Sequence, residues 1–476
     1  MLLPMSPADS MFLLGESREH PMHVGGLVLL DPHDGADAAD IRTMLDHALA
    51  RDEVTPLLRK RASRSLTSLG QWRWEHESSI DLKHHVRHAA LPAPGGMPEL
   101  MDLVARLHAG LLDRHRPLWE MYLIEGLADG RFAVYTKIHH ALADGVSAMR
   151  LLRSALSEDP DERSMPAPWE PLGRSVPESA APDSTPPPSP PSQKGLLHLP
   201  VTAVRAAADT IGAVSSVIGE ITAVVPALAG ALDRARHDQG GALSLSAPRS
   251  MFNVPIGGAR RFAARSWPLE RLRLVAKRSD ATVNDVVLAM CAGALRAFMT
   301  ALDALPETPL IAMVPVSLRN GTSESKSGNN IGMLSCNLGT HLADPADRLE
   351  VVRSSMNEGK GSMRALGRIP TLAASAFGAV PLALGMYGLA GPIRPPNVMI
   401  SNVPGPAGPL YWNGARVSAL YPLSLPVDGQ ALNITCTSTD DEIAFGLTGC
   451  RRAVPDLDPL LEHLDNELTA LEAAVA

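Results

Sequence analysis

The stretch FAVYTKIHHALADG, Phe132 to Gly145, decides how this chain is read. Apart from Lys137, its first seven residues, Phe132 to Ile138, are aromatic, β-branched and apolar side chains over a strand's length. Two adjacent histidines, His139 and His140, follow at once, and Asp144 and Gly145 lead into a predicted helix over Val146 to Leu156. A strand that passes through a short loop into a helix is the α/β pattern, and strand ends are where such proteins present reactive groups to a cleft.

The chemistry follows from the residue types. Imidazole titrates near pH ~6.5, so a neutral histidine within about 3 Å of an alcohol can take its proton as the oxygen attacks a carbonyl. That is acyl-transfer chemistry, with His140 as the candidate base. Neighbouring residues on a strand point to opposite sides, so His139 and His140 do not converge on one substrate or one zinc ion. One histidine works and the other supports it, and no metal is expected. Asp144 can orient the imidazole or tie down the loop through a basic partner such as Arg319, and the sequence leaves both open. Gly145 suits a positive φ or a close backbone approach at a sharp exit into the helix.

Outward from the motif, Gly25 to Leu30 reads as a second strand, while Asp40 to Arg51 and Pro98 to Asp113 carry apolar residues at helical spacing. From Met165 to Pro191 proline is dense enough to remove amide donors and fix backbone angles, which predicts a linker. The expected division is a first domain over residues 1–164, a proline-rich linker over 165–195, an amphipathic helical connector over 196–240 and a second domain over 241–476. In the second domain Leu310 to Val316, Asn397 to Ser401, Leu432 to Ser438 and Ile443 to Leu447 read as strands, with helices over Asn284 to Ala301 and Leu457 to Val475. Ile369 to Ile393 runs 25 residues without a charge but contains Pro370, Pro381 and four glycines; a buried helical pair, a lipid-touching surface and a true span all remain open.

A formal charge of -8, from 51 acidic against 43 basic residues, leaves no cationic excess for a phosphate backbone, so nucleic acid is not an expected partner. The four cysteines form no CxxC pair and argue against a disulfide framework, and Met1 to Ser10 lacks a signal-peptide pattern, so a cytoplasmic setting is expected. His84, His85 and His88 lack a following Asp-Gly and are expected at the surface. Trp72 and Trp74 are expected to pack.

Five further blocks accompany the motif in order along the chain: Met5 to Phe12 (MSPADSMF), Pro117 to Glu120 (PLWE), Asn284 to Ala289 (NDVVLA), Val314 to Arg319 (VPVSLR) and Ser401 to Pro406 (SNVPGP). With HHxxxDG they make the chain resemble the bacterial wax ester synthase/diacylglycerol acyltransferase family. The resemblance implies two chloramphenicol-acetyltransferase-like α/β domains, mixed sheets flanked by helices, with the active site in a tunnel between them. It implies fatty acyl-CoA as co-substrate, diacylglycerol or a long-chain alcohol as acceptor, and no bound cofactor. It also implies a peripheral position on the inner face of the membrane or on lipid droplets. His140 would be the base, with His139, Asp144 and Gly145 in support. Asn284 caps a helix or reaches the active site, and Ser401 and Asn402 line the cleft or satisfy their turn. A different acceptor, either a complex envelope lipid or an amine, and a non-catalytic lipid-binding protein are the rival readings.

Overall fold

The computed structural model describes residues 2–171, 247–317, 331–366 and 395–476, apart from 34, 37, 65–71, 407 and 440. The first half runs β1 (Leu2–Pro4), α1 (Pro7–Gly15), β2 (His23–Asp31), α2 (Ala38–Leu49), β3 (Lys60–Arg64), β4 (Trp72–His76), α3 (Leu82–His85), β5 (Val86–Ala90), α4 (Met97–Ala109), β6 (Trp119–Glu125), β7 (Phe132–His139) and α5 (Gly145–Ser154). The second runs β8 (Arg260–Pro268), α6 (Leu269–Arg278), α7 (Val283–Ala301), β9 (Ile311–Ser317), β10 (Ile331–Asn337), α8 (Pro345–Leu366), β11 (Val398–Pro404), β12 (Tyr411–Trp412), β13 (Ala415–Leu423), β14 (Leu432–Ser438), β15 (Glu442–Cys450) and α9 (Asp458–Ala474).

The apolar run at Gly25 to Leu30 reads as continuous because both faces of its strand are covered. Leu27 and Leu29 of β2, with Ala133 and Tyr135 of β7, pack on α4 through Leu100 and Val104. Val28, Leu30, Phe132 and Val134 point the other way, toward Ile41 and Leu45 of α2 and Trp74 of β4. The period of two is thus kept while neither side faces water. β2 pairs antiparallel with β7 from His23 opposite His139 to Leu30 opposite Phe132, so the motif histidines lie at one end of the sheet.

One exchange crosses the expected domain division. The first six-stranded sheet has the order β12-β13-β2-β7-β6-β5, so residues 411–423 complete the first half's sheet. The second sheet, β10-β9-β11-β14-β15-β8, carries α6 to α9 against one face. From its other face Phe262 and Ala444 join the cluster around α4, together with Tyr421 of β13. Here β13 crosses β15 so closely that a Cβ on Gly446 would collide with the Pro422 carbonyl, and only glycine fits.

From Val286 to Leu295 the helix α7 is apolar all round because that stretch is enclosed by the other helices and the sheet. It is long and apolar enough to cross a membrane, yet most of it lies in the second core. A capping box starts it: Thr282 Oγ1 accepts from Asp285 N–H at 3.2 Å and Asp285 Oδ2 accepts from Thr282 N–H at 2.9 Å, worth about 1 kcal/mol.

Two expectations need correction. The start of the proline-rich segment belongs to the first core, not to a linker: Met165, Ala167 and Trp169 are buried, and Thr55 N–H donates to the Trp169 carbonyl at 2.8 Å. A turn closed by the Glu170 N–H donating to the Ala167 carbonyl at 2.9 Å brings Trp169 inward beside Met165 and Ala167. Trp169 is 0% exposed. The remainder of the expected linker and connector, 172–240, lies outside the described residues, as does Ile369 to Ile393. His85 is buried rather than superficial; its Nδ1 lies 2.8 Å from the Trp119 carbonyl and its ring stacks on that indole.

Candidate active site

The end of β7 is pinned from two sides. The His139 N–H donates to the Leu118 carbonyl at 3.0 Å and the His140 N–H to the Met22 carbonyl at 2.8 Å. The Pro117-Leu118-Trp119 block therefore packs, with Leu118 and Trp119 buried and Trp119 Nε1–H donating to the Leu58 carbonyl at 2.8 Å, and it also supplies one of these anchors. Beyond the strand, Leu142 and Ala143 N–H groups donate to the His139 carbonyl and turn the chain tightly into α5.

The two imidazoles take different surroundings. His139 is wholly buried, its Nδ1 accepting from Ala141 N–H at 3.1 Å and its Nε2 lying 3.3 Å from Glu16 Oε1. His140 is partly exposed and stacks on Phe12, ring centroids 4.1 Å apart and 17° from parallel. Burial draws the His140 pKa below the ordinary imidazole value, and the Asp144 charge offsets this only in part. The ring is therefore neutral at physiological pH, the form a general base needs.

Asp144 is the N-cap of α5: its Oδ1 accepts from Ser147 N–H at 2.7 Å. Among the described residues no cation pairs with it, and Arg319 lies outside them. The positive φ foreseen for Gly145 does not hold: it is the first helical residue, its φ is outside the left-handed region, and no described residue lies within 4 Å of where a Cβ would sit. Asn284 stands in the first turn of α7, but Thr282 and Asp285 do the capping, and the Asn284 side chain makes no hydrogen bond among the described residues. Ser401 and Asn402 sit half-buried on β11, in register with Thr435 and Cys436 of β14. Their side chains likewise make no hydrogen bond among the described residues. α5 lies against β11, which sets the helix that follows the histidines beside the Ser401-Asn402 strand.

Several members of this site escape a sequence reading. Phe12 and Glu16 come from α1 and its C-cap, and Met22 from the segment before β2. Behind the histidines Lys137 of β7 lies opposite Glu120 of β6, Nζ to Oε2 3.1 Å, and donates to the Leu107 and Gly110 carbonyls at 3.0 Å each. Burial lowers the Lys137 pKa while Glu120 opposes the shift. His108, its pKa driven down by burial to about 3, bridges Tyr135 Oη at 2.8 Å and the Ser424 carbonyl at 3.2 Å. A lysine and a glutamate inside otherwise apolar strands were the visible signal for this lock. Among the described residues no three histidine, cysteine or carboxylate side chains cluster as a metal site.

Residues 5–287 match the wax ester synthase/diacylglycerol acyltransferase catalytic domain and residues 327–472 the C-terminal domain of the same family. The chain belongs to this family. A probable diacylglycerol O-acyltransferase of Mycobacterium tuberculosis is 46% identical over 473 residues, 99% of each chain. A Mycobacterium bovis protein named for the same activity is 50% identical over 478 residues, 99% of this chain and 91% of that one. Among solved structures, the wax ester synthase/diacylglycerol acyltransferase of Marinobacter aquaeolei VT8 superposes with a TM-score of 0.75 at 38% identity, covering 99% of both chains. A condensation domain of the calcium-dependent antibiotic synthetase, 17% identical with a TM-score of 0.57 and covering 100% of this chain and 96% of its own, shares the fold. The wax ester synthase/diacylglycerol acyltransferase assignment makes the chain an acyltransferase of two mixed α/β domains, as its blocks imply.

Proposed function

We propose that this acyltransferase moves a long-chain fatty acyl group from acyl-CoA to the hydroxyl of diacylglycerol, a long-chain alcohol or both, with His140 as general base. The observation that carries the reading is the state of His140: a partly exposed ring kept neutral by its surroundings, stacked on Phe12 and anchored through Met22, at the end of a strand next to α5 and β11. The names of the mycobacterial relatives and of the Marinobacter enzyme support the acceptor class.

In this mechanism the neutral imidazole takes the acceptor hydroxyl proton while the oxygen bonds to the thioester carbonyl carbon. The tetrahedral oxyanion collapses, the carbon–sulfur bond breaks, and the proton passes from imidazolium to the departing thiolate. The products are a lipid ester and free CoA, and no covalent acyl-enzyme is required. Oxyanion stabilisation falls to nearby donors, and the side chain of either Ser401 or Asn402, neither of which makes a hydrogen bond among the described residues, is the candidate on the second domain, since neighbours on β11 face opposite sides. No described residue lies within 4 Å of a Cβ built on Gly145, which suits the approach of a substrate to the motif. Both substrates would meet in a tunnel between the domains, and the enzyme would work peripherally at the inner membrane face or on lipid droplets.

A thiol-release assay with palmitoyl-CoA and dioleoylglycerol, hexadecanol or no acceptor tests the proposal. Release that depends on either acceptor, with triacylglycerol or wax ester as product, supports it. Absence of acceptor-dependent release with both lipids overturns it in favour of another acceptor or of lipid binding alone.

A further inference from the structure

We propose that Glu16 is a positioning residue of this site, acting through His139 to hold the backbone that carries His140. The inference rests on the reading of His140 as the base.

Glu16 directly follows α1, the helix whose Phe12 stacks on His140. Its side chain is 1% exposed, an expensive place for a carboxylate unless donors surround it. They do. Oε1 lies 3.3 Å from His139 Nε2 and accepts from Met22 N–H at 3.3 Å, while Oε2 accepts from Arg114 Nε–H at 2.9 Å. Arg114 also donates to the Leu13 carbonyl at 2.8 Å, which ties the guanidinium to the end of α1. Burial pushes the Glu16 carboxyl up, but the contacts with His139 and Arg114 outweigh it and hold the group below the usual carboxylate range, hence ionised.

The arrangement sets the tautomer of His139. Because Nδ1 accepts from Ala141 N–H, the proton of the neutral ring sits on Nε2, the nitrogen that faces Glu16. The ring so oriented holds the amide of the residue just after His140. Met22, gripped by the same carboxylate through its N–H, accepts from the His140 N–H through its carbonyl. One carboxylate oxygen therefore governs the backbone on both sides of His140. The segment between Glu16 and Met22 is tied in turn to the second domain, where Arg260 donates to the Glu19 carbonyl at 2.8 Å and His20 Nε2 lies 3.0 Å from Asp428 Oδ1.

A residue that merely braces the fold and one that positions the base are separated by a kinetic double-mutant cycle. Glu16→Gln keeps the side-chain volume and removes the charge. Misplacing a catalytic group by an ångström or so costs up to about 10²-fold, so kcat with palmitoyl-CoA and dioleoylglycerol is expected to fall about 10–100-fold, with KM for palmitoyl-CoA within about threefold. In a His139→Ala background the same change is expected to cost less than about threefold, because the route through the ring is already gone and the glutamine amide oxygen can still accept from Met22 N–H. Equal losses in both backgrounds, or a Glu16→Gln kcat within about twofold of wild type, overturn the proposal. Should Glu16→Gln fail to fold, Glu16→Asp, which keeps the charge but withdraws it from His139, is read in the same cycle; failure of both to fold also overturns it by making Glu16 a stability residue. His140→Ala in the same series keeps the two claims apart, since activity in that variant refutes the base while leaving the Glu16–His139 coupling to be read on its own.

Discussion

Replacing Asp144 by asparagine and by alanine separates its two effects on the motif. The carboxylate caps α5 through a 2.7 Å bond from Ser147 N–H, and none of the ten residues of α5 is fully buried, so packing does little to replace a lost cap. Loss of such a cap costs about 1 kcal/mol, which in a domain of 150–250 residues lowers Tm by about 2–4 °C; this is expected of Asp144→Ala. The side chain introduced by Asp144→Asn would still cap and forfeit only the charge–dipole attraction, about 0.3 kcal/mol or about 1 °C. The kinetic effect is common to both. Burial depresses the His140 pKa and the Asp144 charge partly restores it, so removing that charge lowers the pKa further. Since the base works when neutral, kcat/KM rises with pH through this pKa, and its acid limb moves to lower pH in both variants. Calorimetry and thiol release across the acid and neutral range read the two effects. An acid limb that stays or moves to higher pH, or an asparagine variant as unstable as the alanine one, would refute the assignment of Asp144 as cap and field source.

Trp169→Ala, which empties a fully buried site, is expected to cost about 3–5 kcal/mol and roughly 6–20 °C in the first domain's transition by calorimetry; a shift below about 2 °C would return residues 165–171 to the linker. Gly446→Val drives a side chain into the Pro422 carbonyl where the two sheets cross, so a loss of about 1–3 kcal/mol or more is expected in the same scan. Gly145→Ala meets no described residue within 4 Å at the start of α5 and is expected to leave Tm unchanged or raise it by up to about 2–4 °C, and a marked loss would mean that the motif glycine is conformationally required after all.

Much of the fold was legible because these strands carry their own signal. Leu432 to Ser438 coincides with β14 to the residue, and Phe132 to Ile138 misses only the last residue of β7. Central strands are apolar on both faces and stand out against polar turns. Pairing is a different kind of information. Nothing in the local pattern of Ala415 to Leu423 says that it joins β2 of the other half, because periodicity defines a strand and not its neighbour. The same limit hid Met165, Ala167 and Trp169, where proline density describes the backbone while alternate side chains decide burial. His139, His140 and Asp144 were visible as a motif, and their placement at the end of β7 followed from the strand before them. Glu16 was not, since its partners His139 and Arg114 come from other elements and become neighbours only after folding. The histidine run at 84–88 illustrates the converse: a polar-looking stretch in which His85 is drawn inside by stacking on Trp119.

Substitution of His140 by alanine, assayed by thiol release from palmitoyl-CoA with dioleoylglycerol, bears most directly on the proposed chemistry. With His140 as the base, turnover falls by about 10²-fold or more while the unfolding temperature stays that of the wild type. A folded variant that releases thiol at close to the wild-type rate contradicts that role.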